Sequence, residues 1–128
     1  MQNSMIVFVC EHGAAKSILA AAYFNKLASE KGSDLRAIAR GTNPDAELSP
    51  QTVMGLSKDG LQPTESTPQK LTEADVQSAE HVLTFCDLPV EYHQKAIVEQ
   101  WDGIPPVSED YEKARDAIVG RIHEFLSR

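Results

Sequence analysis

Hydrophobic positions along this chain follow two alternating rhythms. M-I-V-F-V-C (5–10) is a continuous apolar run, which predicts a strand buried on both faces. From about Ala14 to Lys31 the spacing becomes helical. The middle of that stretch, I-L-A-A-A-Y-F (18–24), is apolar nearly all round, so the helix is expected to be deeply packed. Gly32 supplies a stop signal. Leu35 to Ala39 reads as a short second strand running into Arg40-Gly41-Thr42. After the loop-like N-P-D-A-E-L-S-P (43–50), Ser49 and Pro50 form an N-cap and first-position pair for a helix over roughly 50–59, closed by Gly60. Pro63 to Pro68 is loop, and Thr72 reads as the N-cap of a short helix to about Ala79. H-V-L-T-F-C (81–86) is a third strand, again ending in cysteine. Leu88 to Lys95 reads as a turn with a short helix, Ala96 to Trp101 as a fourth strand, and D-G-I-P-P (102–106) as loop. Tyr111, Ala114, Ile118, Ile122 and Phe125 recur on one helical face and give a final amphipathic helix.

Strands alternating with helices imply right-handed βαβ crossovers. The predicted architecture is a three-layer α/β/α fold with a four-stranded parallel sheet. A chain of 128 residues is enough for one core and too short for two, so residues 1–128 are read as a single domain. Ligands of such sheets bind beyond the carboxyl ends of the strands, where Cys10 and Cys86 both fall.

Composition narrows the function. No apolar run reaches the roughly eighteen residues that cross a bilayer. The N-terminus lacks a basic n-region, so no signal peptide is read and a cytoplasmic location is expected. The net charge is −7 with no Lys/Arg cluster, which argues against a nucleic-acid or anionic membrane partner. A small anion needs only local positive potential and stays open. Two separated cysteines are no disulfide framework. With no C-x-x-C and no histidine pair at i, i+4, no metal or cofactor is expected.

The informative stretch is C-E-H-G-A-A-K-S (10–17), between the first strand and the first helix. A tight loop there turns the N–H groups of Glu11, His12, Gly13, Ala14 and Ala15 toward one point, with a helix N-terminus behind them, and so makes an anion cradle. Gly13 eases the turn by accepting positive φ. Lysine is unfavourable at a helix N-terminus, so Lys16 is best explained by an anion partner. A thiol at Cys10 sits where negative charge is favoured and is aimed at whatever atom the cradle holds. Ser17 is placed to hydrogen-bond the sulfur. Cys86 reads either as a core-packing residue or as a redox partner. His12 reads either as a solvent-facing loop residue or as a contact to the ligand.

This arrangement resembles the low-molecular-weight protein tyrosine phosphatase superfamily, and its whole-chain pattern is closer to the thioredoxin-coupled arsenate reductase branch. The family signature, C-x5-R-[S/T], reads C-x5-K-S here. R-G-T (40–42), T-P-Q-K-L-T (67–72), L-T-F-C-D (83–87) and W-D-G-I-P-P (101–106) are similar to family segments in the same order. The resemblance implies that Cys10 attacks the phosphorus or arsenic of a small oxyanion or phosphorylated substrate, held by the loop amides and Lys16. In phosphatases water then hydrolyses the cysteinyl-phosphate; in arsenate reductases cysteines relay a disulfide to a thiol reductant. Four positions differ from the family pattern. Lys16 replaces the arginine, and Gly13 replaces an asparagine. Pro105-Pro106 stands where the Asp-Pro acid is expected, leaving Asp102 as the candidate replacement. The third relay cysteine has no counterpart. The expected function is therefore cysteine-nucleophile phosphatase or arsenate reductase-like catalysis. The alternatives are an oxyanion-binding or sensing protein with weak catalysis, and a Cys10–Cys86 redox switch.

Overall fold

The apolar run at the start of the chain forms the interior of the sheet. The structure is a computed structural model and describes residues 5–128. Strand β1 (Met5–Cys10) lies between β2 (Arg36–Gly41) and β3 (Ala79–Thr84), and β4 (Ile97–Gln100) forms the edge beyond β3. The order is β2-β1-β3-β4 and every pairing is parallel.

The two-residue period of β1 divides its side chains between two cores. Ile6 and Phe8 face α1 (Lys16–Glu30), α2 (Pro50–Lys58) and α5 (Tyr111–Leu126), and bury Ile18, Phe24, Leu56 and Ile118 with them. Val7 and Val9 face the other way, toward α3 (Glu73–Ser78) and α4 (Val90–Lys95), with Val76 and Val82. A strand covered on both faces has no position for a polar residue, which explains the unbroken apolar run. The predicted three-layer α/β/α fold is the one observed.

Caps set several helix ends as expected. Ser49 accepts from the Thr52 N–H, with Pro50 in the first turn. Thr72 forms a reciprocal capping box with Asp75. Trp101 follows β4 and is 2% exposed. It packs edge-on against Phe8 and Phe85 and donates from Nε1 to Glu99 Oε2. Truncating a tryptophan so buried costs about 3–5 kcal/mol.

Several boundaries differ from expectation, each for a local reason. The first helix begins at Lys16, not Ala14, because the Ala14 carbonyl is taken by the Ser49 N–H at 3.0 Å and not by a helical partner. Residues 14 and 15 thus stay in the loop. The third strand runs from Ala79 to Thr84, not from 81 to 86. Thr84 Oγ1 accepts from the Cys86 N–H at 3.1 Å and donates to the Cys86 carbonyl at 2.8 Å, turning the chain out of the ladder. Cys86 therefore lies just past the strand.

Candidate active site

The loop between β1 and α1 is shaped by where its carbonyls go. Cys10 O accepts from the Thr42 N–H at 3.2 Å and Glu11 O from Asn43 at 2.7 Å. His12 O accepts from Asp45 and Ala14 O from Ser49, each at 3.0 Å. The segment after β2 thus draws these carbonyls outward. Gly13, at φ +62°, makes the reversal that permits it. Among the described residues, no protein acceptor takes the N–H groups of residues 11 to 15. A run of free N–H groups ending at the N-terminus of a 15-residue helix favours negative charge.

Cys10 lies at the base of this loop, 8% exposed. Its Sγ is 3.0 Å from Ser17 Oγ, and Ser17 is fully buried in the first turn of α1. A hydroxyl there can donate to a charged sulfur and stabilise it as nucleophile and as leaving group. Lys16 is the only lysine or arginine lining the cavity of about 640 Å³ above the loop, and it has no ion pair among the described residues. The loop thus places the Cys10 thiol, the Lys16 ammonium and a set of free amides around a space open to solvent.

Cys86 lines the same cavity. Burial pushes its thiol pKa up. The Thr84 hydroxyl 3.5 Å from the sulfur works against that, and negative charge at Cys10 adds to it. Cys86 is thus a thiol held protonated beside the candidate nucleophile. Both cysteines are free.

The structure brings together nearly all the residues singled out in the sequence. Cys10, Glu11, His12, Ala14, Ala15 and Lys16 line the cavity, and Ser17 backs the thiol, whereas Gly13 is off the cavity wall and packs against Gly41 while making the loop's reversal. Asp102 stands apart. It is exposed, absent from the cavity wall, and its carbonyl accepts from Arg121 at 2.8 Å. The 106–108 segment does reach the cavity, but with Pro106, Val107 and Ser108. Asp110, close by, caps α5 by accepting from the Lys113 N–H. The sequence reading missed Asp45 and Glu47, which also line the cavity. His12 Nδ1 lies 3.1 Å from Asp45 Oδ1. Only the unremarkable loop 43–50 carried those residues, and nothing in its spacing signalled the contact.

Residues 5–121 match the model of the low molecular weight phosphotyrosine protein phosphatase family. No curated protein matches the chain. Among solved structures, it is similar to the low molecular weight protein tyrosine phosphatase from T. tengcongensis, with a TM-score of 0.82 at 21% identity, covering 96% of this chain and 97% of that one. It is also similar to an arsenate reductase from Archaeoglobus fulgidus, with a TM-score of 0.78 at 21% identity, covering 96% and 99% of the two chains. Similarity to a thioredoxin-dependent arsenate reductase from Corynebacterium glutamicum has a TM-score of 0.74 at 22% identity and covers 98% of this chain but 61% of that one. A thiol in an amide-lined loop after the first strand, on a fold shared with phosphatases and arsenate reductases, agrees with the family match, and the chain belongs to the low molecular weight phosphotyrosine protein phosphatase family.

Proposed function

We propose that the protein hydrolyses phosphomonoesters with Cys10 as nucleophile. The observation that carries this reading is the contact of Cys10 Sγ with Ser17 Oγ beneath a loop whose carbonyls are turned outward. The amides of residues 11 to 15 and the Lys16 ammonium take the equatorial oxygens of the phosphoryl group. The Cys10 sulfur attacks phosphorus as the ester P–O bond breaks, and the leaving oxygen takes a proton. Water then attacks the cysteinyl-phosphate. Phosphate departs, and the sulfur regains its electron pair while Ser17 donates to it. Lys16 supplies charge without the planar two-pronged fork of arginine. The clamp on the transition state is correspondingly weaker, and slow turnover is expected.

The test is hydrolysis of p-nitrophenyl phosphate by wild type and Cys10→Ser. Turnover by wild type that falls to background in Cys10→Ser supports the proposal. Tight phosphate binding without turnover in either protein overturns it and identifies an oxyanion binder.

The position of Cys86 favours a second reading, arsenate reduction. Cys10 would add to arsenate with loss of hydroxide. Attack of Cys86 on the Cys10 sulfur would then pass two electrons to arsenic, release arsenite and leave a Cys10–Cys86 disulfide for an external dithiol to reduce. Burial holds the Cys86 thiol protonated, and consuming the negative charge on Cys10 removes one opponent of its ionisation. Mass mapping under non-reducing conditions after arsenate treatment decides it. A linked Cys10–Cys86 peptide that forms with arsenate supports reduction, and free thiols throughout exclude it.

A further inference from the structure

Hydrolysis needs a proton for the leaving oxygen, and the obvious donors are elsewhere. Asp102 is outside the cavity, Asp110 is engaged as a helix cap, and the 106–108 segment presents no acidic side chain. Among the described residues, the titratable groups facing the cavity are Cys10, Glu11, His12 and Lys16 from the loop itself, Asp45 and Glu47 from the segment after β2, and Cys86 from the turn after β3. Imidazole carries a transferable proton near neutral pH without the deep burial that a carboxyl group needs. Among the described residues His12 is the one imidazole on this wall, and its Nδ1 is paired with Asp45 Oδ1 at 3.1 Å. The Asp45 backbone N–H also bonds to the His12 carbonyl at 3.0 Å, so the two residues are joined by side chain and main chain together. With Nδ1 occupied, Nε2 is the atom left to act.

We propose that His12, positioned by Asp45, is the proton donor to the leaving group in the hydrolysis described above. The inference rests on that reading. As the Cys10 sulfur bonds to phosphorus, the ester P–O electron pair goes to the leaving oxygen, which takes the Nε2 proton of the imidazolium. Neutral His12 then accepts a proton from the water that attacks the cysteinyl-phosphate. The P–S electron pair returns to sulfur, and the imidazolium is restored. The net change is ester plus water to alcohol plus phosphate. Asp45 acts through the imidazole as a positioning residue.

The experiment compares kcat/KM for phenyl phosphate with that for p-nitrophenyl phosphate in wild type, His12→Asn, His12→Gln, Asp45→Asn and Cys10→Ser. A nitrophenolate leaves with little help, whereas a phenolate needs the proton. Loss of a general acid costs roughly 10²–10⁴-fold, and most of that loss is expected on phenyl phosphate. The phenyl-to-nitrophenyl ratio should fall about 100-fold in the His12 variants, and in the same direction by less in Asp45→Asn. Competitive inhibition by phosphate checks that each variant keeps its loop, and His12→Gln stands in if His12→Asn does not fold. An unchanged ratio in folded His12 variants overturns the inference while leaving cysteine-based hydrolysis intact. An unchanged ratio in Asp45→Asn removes Asp45 from it. Wild type that hydrolyses neither ester overturns the hydrolase reading itself.

Discussion

Gly41, the last residue of β2, lies so close to Gly13 that a Cβ on Gly41 would stand 2.7 Å from the Gly13 amide nitrogen and 2.8 Å from its Cα. The opposing atoms are backbone and cannot swing aside. The contact brings the segment after β2 against the loop after β1, where it binds the loop's carbonyls. Gly41→Ala is expected to cost about 1–3 kcal/mol, the range for forced overpacking. It should also weaken phosphate binding, because the amides lose their common direction. Urea denaturation and phosphate titration read the two effects, and an alanine variant with unchanged stability would show that the loop can yield.

Ser17→Ala removes the hydroxyl 3.0 Å from the Cys10 sulfur. A hydrogen bond to a charged group contributes about 1.5–3 kcal/mol, or roughly 10- to 100-fold in rate. The loss should fall on release of the sulfur from phosphorus. Stopped-flow assays of p-nitrophenyl phosphate should therefore show a burst of nitrophenolate followed by slow turnover. Equal slowing of both phases would place the serine's effect on nucleophilic attack.

Lys16 is the cation of the cavity, and the two replacements of it separate charge from shape. Lys16→Met should lower kcat/KM by about 10²–10³-fold, as for loss of an oxyanion donor. Lys16→Arg restores the planar fork and should raise kcat/KM on p-nitrophenyl phosphate by about tenfold, the effect of 1.4 kcal/mol of added transition-state stabilisation. A drop in Lys16→Arg would mean that the loop is shaped for lysine.

Acid should loosen the outer edge of the sheet. Arg128 donates to both Glu99 oxygens at 2.7 and 2.8 Å, with Trp101 Nε1 as a third donor. The Arg128 hydrogen bonds lead in lowering the Glu99 pKa from 4.5 to about 2, against the opposing effect of burial. A lowered carboxyl pKa stabilises the folded chain above the unfolded value, and that stability is lost as pH falls from 4.5 toward about 2. Denaturation midpoints across this window should fall less steeply in Glu99→Gln than in wild type.

The fold was legible because its signals are local. Met5–Cys10 is apolar throughout, Ser49-Pro50 and Thr72 mark helix starts, and Tyr111 to Phe125 keep one helical face. The errors fell where a distant group competes with a local one. Ala14 has helical neighbours, but its carbonyl is taken by Ser49, 35 positions away in the chain. Asp102 sits near the family's acid position in sequence, yet the chain through Gly103, at φ +80°, carries Pro106 to Ser108 to the cavity and leaves Asp102 at the surface beside Arg121.

The sequence by itself determined the order of strands and helices, the parallel sheet, and the placing of Cys10, Lys16 and Ser17 at a strand–loop–helix junction. Periodicity, caps and the C-x5-K-S spacing act over a few residues and need no partner from elsewhere. Only the tertiary structure decided which groups share the cavity. The packing of Gly41 on Gly13 draws the 42–49 segment against the loop, sets Asp45 beside His12, and turns the carbonyls away from the amides. The turn at Thr84 brings Cys86 into the same space. Those pairings join segments about 30 to 75 residues apart in the chain, and their geometry follows from backbone contacts that no local pattern encodes.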